Sequence, residues 1–302
     1  GIVRIIVIGR DGQWGQSLRE VAAGLGVAPW ADLTFVDRER IDFANEASIE
    51  KTIADIRPDV VINAAAYTAV DKAEDEVELA FQLNASGPKV LAETLAARGG
   101  RLIHVSTDYV FEGNKAGPYV ETDPINPQSV YGKSKADGEA AVRDALASHV
   151  IVRTAWLYSP FGQNFVKTML RLARDRDAVS VVSDQWGAPT SALELARGLM
   201  AICEAWRNGP AQGLGGTYHF AGGGETNWAG LARAVFAASA EAGGPVAEVA
   251  DIATADWPAK AKRPSNSRLC SDLFATTFGY RAPDWRQSLS STTVRIVKED
   301  AF

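Results

Sequence analysis

A doubly wound parallel α/β sheet followed by a smaller α/β lobe is the fold that this 302-residue sequence predicts. Three observations predict it. Short apolar runs alternate with longer helical patterns through the first half, which is the rhythm of a parallel sheet with helices on both faces. A glycine-rich turn joins the first apolar run to the first helical pattern. After about Trp156 the rhythm gives way to longer connections rich in Gly and Pro.

In chain order, Val3–Ile8, Leu33–Val36, Val60–Ile62, Leu102–Ser106 and Val150–Val152 read as buried strands. The helices expected between them are Gln13–Leu25, Glu46–Ile56, Glu78–Arg98 and Val130–Ala147. The second half predicts helices near Phe165–Arg174, Leu193–Trp206 and Trp228–Ala242, with a short strand at Thr217–Phe220. This divides the chain into a dinucleotide-binding domain over 1–155 and a substrate lobe over 156–302, with some later segments returning to the first domain.

Composition narrows the function. The hydrophobic share of 46% and the charged share of 23% are those of an ordinary globular chain. No apolar run reaches the roughly 20 residues that a membrane span needs. The apolar start at Val3–Ile8 is too short for a signal-peptide core, so the expected location is the cytoplasm and no membrane partner is expected. A net charge of −6 argues against nucleic acid, which needs a basic footprint. Cys203 and Cys270 lack any pairing or metal spacing and read as buried free thiols. The three histidines are scattered, so no metal site is predicted. Lys260, Lys262, Arg263 and Arg268 form the one basic cluster, which a solvated loop would equally explain.

The turn runs Gly9-Arg10-Asp11-Gly12-Gln13-Trp14-Gly15. Glycine lets a pyrophosphate approach the backbone, and the helix amino terminus offers unpaired N–H groups and a favourable dipole. The spacing is Gly-x-x-Gly-x-x-Gly rather than Gly-x-Gly-x-x-Gly. Asp37 stands 22 residues beyond Gly15, where an acid bonds the adenosine ribose 2′-OH. Arg10 and Arg38 would instead hold a 2′-phosphate, so NADH and NADPH both stay open. Asp42 and Phe43 follow, placed to touch adenine, although Asp42 would serve equally as a turn residue. Asn63-Ala64-Ala65-Ala66-Tyr67-Thr68 ends the third strand with small residues that let a flat cofactor pack closely.

Tyr131 and Lys135 are four apart at the start of a predicted helix, so both project from one face. A tyrosine with its reference pKa near 10 exchanges protons poorly at neutral pH, and a neighbouring ammonium would lower it into use for general acid–base work. Thr107 ends the fourth strand, where a hydroxyl reaches the reacting oxygen beside Tyr131. Asp108 follows it and joins the substrate-binding set. Asn164 and Arg268 are the candidates for meeting a diphosphate, with a structural ion pair an equal reading for Arg268.

These segments together resemble the extended short-chain dehydrogenase/reductase family, over essentially the whole chain. The stretches that carry the likeness include NAAAYTAVDKAE at Asn63–Glu74, STDYVF at Ser106–Phe111, NPQSVYGKSK at Asn126–Lys135, DQWGAPT at Asp184–Thr190 and RPSNSRL at Arg263–Leu269. The resemblance implies a Rossmann-type fold and reduction, by NADPH or NADH, of the C4 keto group of a 6-deoxy-L-hexose carried on dTDP. It implies Tyr131 as proton donor, Thr107 orienting the keto oxygen, and Lys135 assisting Tyr131 and gripping the nicotinamide ribose. It further implies that Trp156 packs on the sugar, and that Gly12, Gln13, Trp14, Asp42, Phe43, Ala66, Tyr67 and Thr68 touch cofactor. Some family members are dimers bridged by Mg2+ through glutamates, one of them in the first helix just after the glycine turn. Here that stretch reads Gly15-Gln16-Ser17-Leu18, so the sequence does not support Mg2+, and both a monomer and a homodimer fit.

Two other functions share the fold. A sugar-nucleotide dehydratase would carry Asp-Glu after the Ser/Thr, where this chain has Asp108-Tyr109. A non-catalytic, NADP-binding regulatory subunit would have no need of the complete set of Thr107, Tyr131 and Lys135.

Overall fold

The computed structural model describes residues 1–65, 68–209 and 215–302. The elements run β1 (Val3–Ile8), α1 (Gln13–Leu25), β2 (Ala31–Val36), α2 (Glu46–Ile56), β3 (Val60–Asn63), α3 (Val70–Ala73), α4 (Val77–Phe81), α5 (Gly87–Arg98) and β4 (Arg101–Thr107). They continue with α6 (Val130–Ala145), β5 (His149–Thr154), β6 (Leu157–Tyr158), α7 (Phe165–Asp175), β7 (Ala178–Val182), β8 (Trp186–Gly187), β9 (Thr190–Ser191) and α8 (Ala192–Asn208). The last are β10 (Gly216–His219), β11 (Thr226–Asn227), α9 (Trp228–Glu241), β12 (Glu248–Ile252), α10 (Asp272–Phe278) and α11 (Trp285–Lys298).

Six strands form one parallel sheet in the order β10-β5-β4-β3-β1-β2. The predicted doubly wound sheet is therefore present. Alternation along β1 decides which side each residue serves. Ile5 and Val7 enter a core with Leu18 and Val21 of α1 and Leu195 and Leu199 of α8. Ile6 and Ile8 enter the opposite core, with Ile49 and Ile53 of α2 and Leu91 and Leu95 of α5. Such strands are apolar on both faces, which is why they read as continuous apolar runs. The chain leaves β1 toward β2 on one side and later enters β3 on the other, and this reversal opens a crevice at the carboxyl ends of the strands.

Part of the second half lies on the first sheet: α8 packs on α1, and β10 pairs with β5. A third core joins α7, α9 and α11, with Val166, Leu170, Val235 and Leu289 buried. Two features were not read from the sequence. The helix expected over Glu78–Arg98 is broken by a π-helical turn at Gln82–Ser86. There Gln82 Nε2 donates to the Phe43 carbonyl and Asn84 Nδ2 to Ser134 Oγ on α6. The pair β7 and β12 also went unread, because Glu248–Ile252 is polar and half-exposed and carries little apolar signal. Cys203 is a buried free thiol as expected, whereas Cys270 is only half-buried. Among the described residues, no helix is long and apolar enough to cross a membrane.

Candidate active site

The glycine turn is built as a cradle. Gly9 adopts φ +104°, a conformation that side chains rarely take, and a Cβ on Gly15 would lie 2.3 Å from the Gly9 carbonyl oxygen. Only a residue without Cβ allows α1 to start this close to β1. Gly12 caps α1 with no side-chain bond, leaving the helix amino terminus to present its N–H groups and dipole to an anion. Gln13 and Trp14 open that helix. Gln13 Oε1 accepts from Ser159 Oγ of the later lobe at 2.8 Å, and Trp14 is half-buried against the core.

Asp37 follows β2 and is paired with Arg10 at 2.8 Å, while Arg38 lies 3.9 Å from Asp42. The acid and one of the two bases that predicted opposite coenzymes, Asp37 and Arg10, are thus bonded to one another. Asp42 uses Oδ1 to hold the Ala44 N–H, the turn role that its spacing also allowed. Phe43, expected at the adenine, is 5% exposed and packs in the core, with Gly87 of α5 so close that a Cβ there would meet Phe43 Cβ at 2.5 Å. Beyond β3, Asn63 Oδ1 holds the Ala65 N–H, and its amide meets the buried His104 ring at 3.1 Å. Thr68 is exposed; Ala66 and Tyr67, expected at the cofactor, lie outside the described residues.

The proton-transfer candidates meet at the end of β4. Ser129 caps α6 by accepting from the Gly132 N–H at 3.1 Å, which fixes the turn carrying Tyr131. Gly132 lets that turn close on the Thr107–Tyr109 segment, since a Cβ there would lie 2.3 Å from the Tyr109 carbonyl oxygen. Thr107 lies beside the Tyr131 phenol, accepts from the Tyr109 N–H at 3.2 Å, and donates to Asp108 Oδ1 at 3.3 Å. Lys135, one turn after Tyr131, donates to the Val105 carbonyl at 2.8 Å.

Burial dominates the electrostatics. It pushes the Tyr131 phenol above its ordinary value, with the neighbouring Thr107 hydroxyl opposing. It lowers Lys135 to about 8, with the Glu139 carboxylate opposing. This corrects the expectation that Lys135 depresses Tyr131. With both groups out of water, desolvation outweighs their mutual influence, and the ammonium is given to a carbonyl. Tyr131 is therefore a protonated phenol at neutral pH, the form that a proton donor requires. Asp108 is buried too and pushed up to about 7, with Ser267 and Thr107 opposing and Oδ2 without a partner.

Beneath this group lies a buried ionic network that the sequence did not reveal. Glu139 accepts from Ser106 Oγ at 2.6 Å, from Arg153 at 2.7 and 2.9 Å, and from Arg143 at 2.8 Å. Glu139 is four residues beyond Lys135 on α6, a spacing that could have flagged it.

The substrate candidates divide. Trp156 is half-buried at the bend between β5 and β6 and stacks on Trp228 with centroids 3.8 Å apart. Asn164 is spent on structure: it caps α7 through the Lys167 N–H and donates to the Ser159 carbonyl. Arg268 is likewise engaged, bonding Glu225 at 2.7 Å, Asn266 at 2.8 Å and the Ala116 carbonyl at 3.0 Å. Both side chains are thus engaged within the protein, Arg268 in an ion pair with Glu225. Lys260 and Arg263 of the basic cluster clasp the first domain. Lys260 pairs with Asp75, and Arg263 bonds Asp71 at 2.7 Å and the Tyr109 hydroxyl at 2.8 Å. Among the described residues, no three His, Cys, Asp or Glu side chains gather as a metal site.

Residues 3–297 match the family model described as the RmlD substrate binding domain. This chain belongs to that family. It is 43% identical over 286 residues to the dTDP-4-dehydrorhamnose reductase of Sinorhizobium fredii (strain NBRC 101917 / NGR234), covering 95% of each chain. It is 41% identical over 286 residues to the enzyme of the same name from Escherichia coli (strain K12), covering 94% of this chain and 95% of that one. Among solved structures, dTDP-4-dehydrorhamnose reductase from Bacillus anthracis str. Ames in complex with NADP superposes with a TM-score of 0.89. The two are 32% identical over 98% of this chain and 100% of the other. The family is one of oxidoreductases on a Rossmann-type fold, and this chain is an oxidoreductase of that kind.

Proposed function

We propose that this protein reduces the C4 keto group of dTDP-4-dehydro-6-deoxy-L-mannose to give dTDP-L-rhamnose, with Tyr131 as proton donor. The observation that carries this reading is the pairing of two buried hydroxyl residues, Thr107 and Tyr131, at the carboxyl end of β4, on the same end of the sheet as the glycine cradle that follows β1.

The residues of the turn fit a dinucleotide: close-packed glycines and an open helix terminus receive the pyrophosphate, and Asp37 with Arg10 lies where the adenosine ribose is read. When bound, NADPH or NADH supplies the hydride. Thr107 and Tyr131 hold the keto oxygen between two hydroxyls, so that charge developing on it meets donors already in place. Tyr131 then gives its proton to that oxygen. Lys135, one turn along α6 from Tyr131, would hold the nicotinamide ribose hydroxyls when the coenzyme is bound. Asp108 and Trp156 line the sugar side. Residues 1–155 hold the dinucleotide in this reading and 156–302 mainly the sugar nucleotide, with α8 and β10 on the dinucleotide side. The cytoplasm, where such coenzymes circulate, is the setting that suits the reaction.

The test is NADPH oxidation followed at 1:1 with product formation from dTDP-4-dehydro-6-deoxy-L-mannose. Wild type turns over, and Tyr131→Phe loses roughly 10²–10⁴-fold in kcat while still binding NADPH. Tight cofactor binding without turnover by wild type would refute the reading in favour of a regulatory role.

A further inference from the structure

Trp156 has a backbone that tryptophan rarely adopts, with φ +55°. The chain around it enforces that geometry. Thr154 is in register with Thr107 before the bend, Leu157 pairs with Thr190 after it, and the Trp156 carbonyl accepts from the Thr190 N–H at 3.0 Å. A strained bulky residue persists only where its surroundings hold it from several sides.

The ring is held as well. Trp228 stacks on it at 3.8 Å with planes 21° apart, which fills one face. Trp228 is itself fixed, being the first residue of α9. The preceding Asn227 caps that helix by accepting from the Gly230 N–H at 2.7 Å, and Phe165 packs against the Trp228 ring at 4.9 Å. On Gly187 a Cβ would lie 2.7 Å from Trp156 Cε2, 2.8 Å from Cζ2 and 3.1 Å from Cδ2. Those atoms flank the bond shared by the two rings, so the glycine backbone approaches over a face. Trp228 already occupies one face, and Gly187 therefore covers the other. Gly187 and Trp228 are joined through the β8–β11 pairing of Gly187 with Thr226, so the two jaws belong to one small unit.

Trp156 is half-exposed although both its faces are covered, so what it presents is an edge. From this we propose that Trp228 and Gly187 are positioning residues that clamp Trp156 edge-on. Its indole N–H, rather than a stacking face, then donates to an oxygen of the sugar nucleotide. The proposal rests on the substrate reading above and changes the manner in which Trp156 serves it. Glycine at 187 is required by the clamp, since any Cβ would displace the indole.

Steady-state kinetics with the dTDP-sugar varied at saturating NADPH test it. Trp156→Phe keeps an aromatic face and loses the N–H. It is expected to raise KM about tenfold or more, with kcat within a few fold and NADPH Kd unchanged. Trp228→Leu and Gly187→Ala free or tilt the ring and are expected to raise KM by a similar factor, the scale of one lost hydrogen bond. Trp228→Phe, which restores a stacking partner, should return KM to near wild type. A Trp156→Phe enzyme with wild-type KM would overturn the edge-on donor, and a Trp228→Leu enzyme with wild-type KM would overturn the clamp. The stacked indoles also give an exciton couplet in the circular dichroism of the free protein. Its survival in Trp228→Phe would sink the clamp whether or not wild type turns over. Absence of wild-type turnover alone would count against the substrate reading instead.

Discussion

The Nζ of Lys135 lies 2.8 Å from the carbonyl oxygen of Val105, the residue two positions before Thr107 on β4. The ammonium is buried, and burial lowers it to about 8 despite the Glu139 carboxylate. A depressed amine loses its proton as pH rises through that value, and with it the charge and one donor available to ribose hydroxyls. NADPH affinity is therefore expected to be flat below pH 7 and about tenfold weaker by pH 9, one decade past the titration. Fluorescence titration of the coenzyme across that range measures this. Lys135→Met should bind weakly at every pH with no such limb. A wild-type Kd that is constant from pH 7 to 9 would mean that the ammonium does not bind coenzyme.

Arg10 and Asp37 are joined at 2.8 Å across the glycine turn and the end of β2. Each neutralises the feature of the other that would select a coenzyme: the carboxylate accepts from a ribose 2′-OH, and the guanidinium holds a 2′-phosphate. Arg10→Ala should leave an unpaired carboxylate and shift the ratio of Kd values toward NADH by about tenfold, the scale of one hydrogen bond to a charged group. Asp37→Ala should shift it the other way. Paired titrations with both coenzymes give the ratio. If neither variant moves it, the pair does not sit at the ribose 2′ position.

The parts of this molecule that were legible in the sequence are those governed by short-range rules. The strands β1, β3 and β4 are continuous apolar runs because both faces of the sheet are covered. Tyr131 and Lys135 share a face by helical spacing, and Thr107 is located by the end of an apolar strand. What escaped depends on partners far apart in the chain. Arg268 could be read as a diphosphate ligand or as half of an ion pair, because Glu225, 43 residues away, gave no local sign of being its partner. Phe43 looked like an adenine contact because its burial depends on Gly87 of α5 lying directly against it. The expected lowering of the Tyr131 pKa failed for another reason: the strength of desolvation is set by packing, which spacing does not report.

Glu139 and Arg153 form the most deeply buried charge pair near the site, with side-chain exposures of 0% and 3%. Burial raises the Glu139 carboxyl, but the Arg153 hydrogen bonds and charge, with help from Ser106 and Arg143, overcome it and hold the group below its ordinary value. A carboxylate whose folded pKa lies below its unfolded one contributes stability above the unfolded value. That contribution is lost as pH falls through the folded one. Stability should accordingly decline on acidification below about pH 4.5, the ordinary glutamate range. Glu139→Ala leaves the Arg153 guanidinium buried without its partner and should cost about 3–5 kcal/mol in denaturant melts at pH 7. The double variant Glu139→Ala, Arg153→Met removes both charges and should recover much of that loss, since an apolar replacement of a buried pair is often near neutral. The same melts repeated at pH 4 should show a smaller gap between wild type and Glu139→Ala. An additive double variant, no better than the sum of its singles, would show that the two charges do not depend on each other.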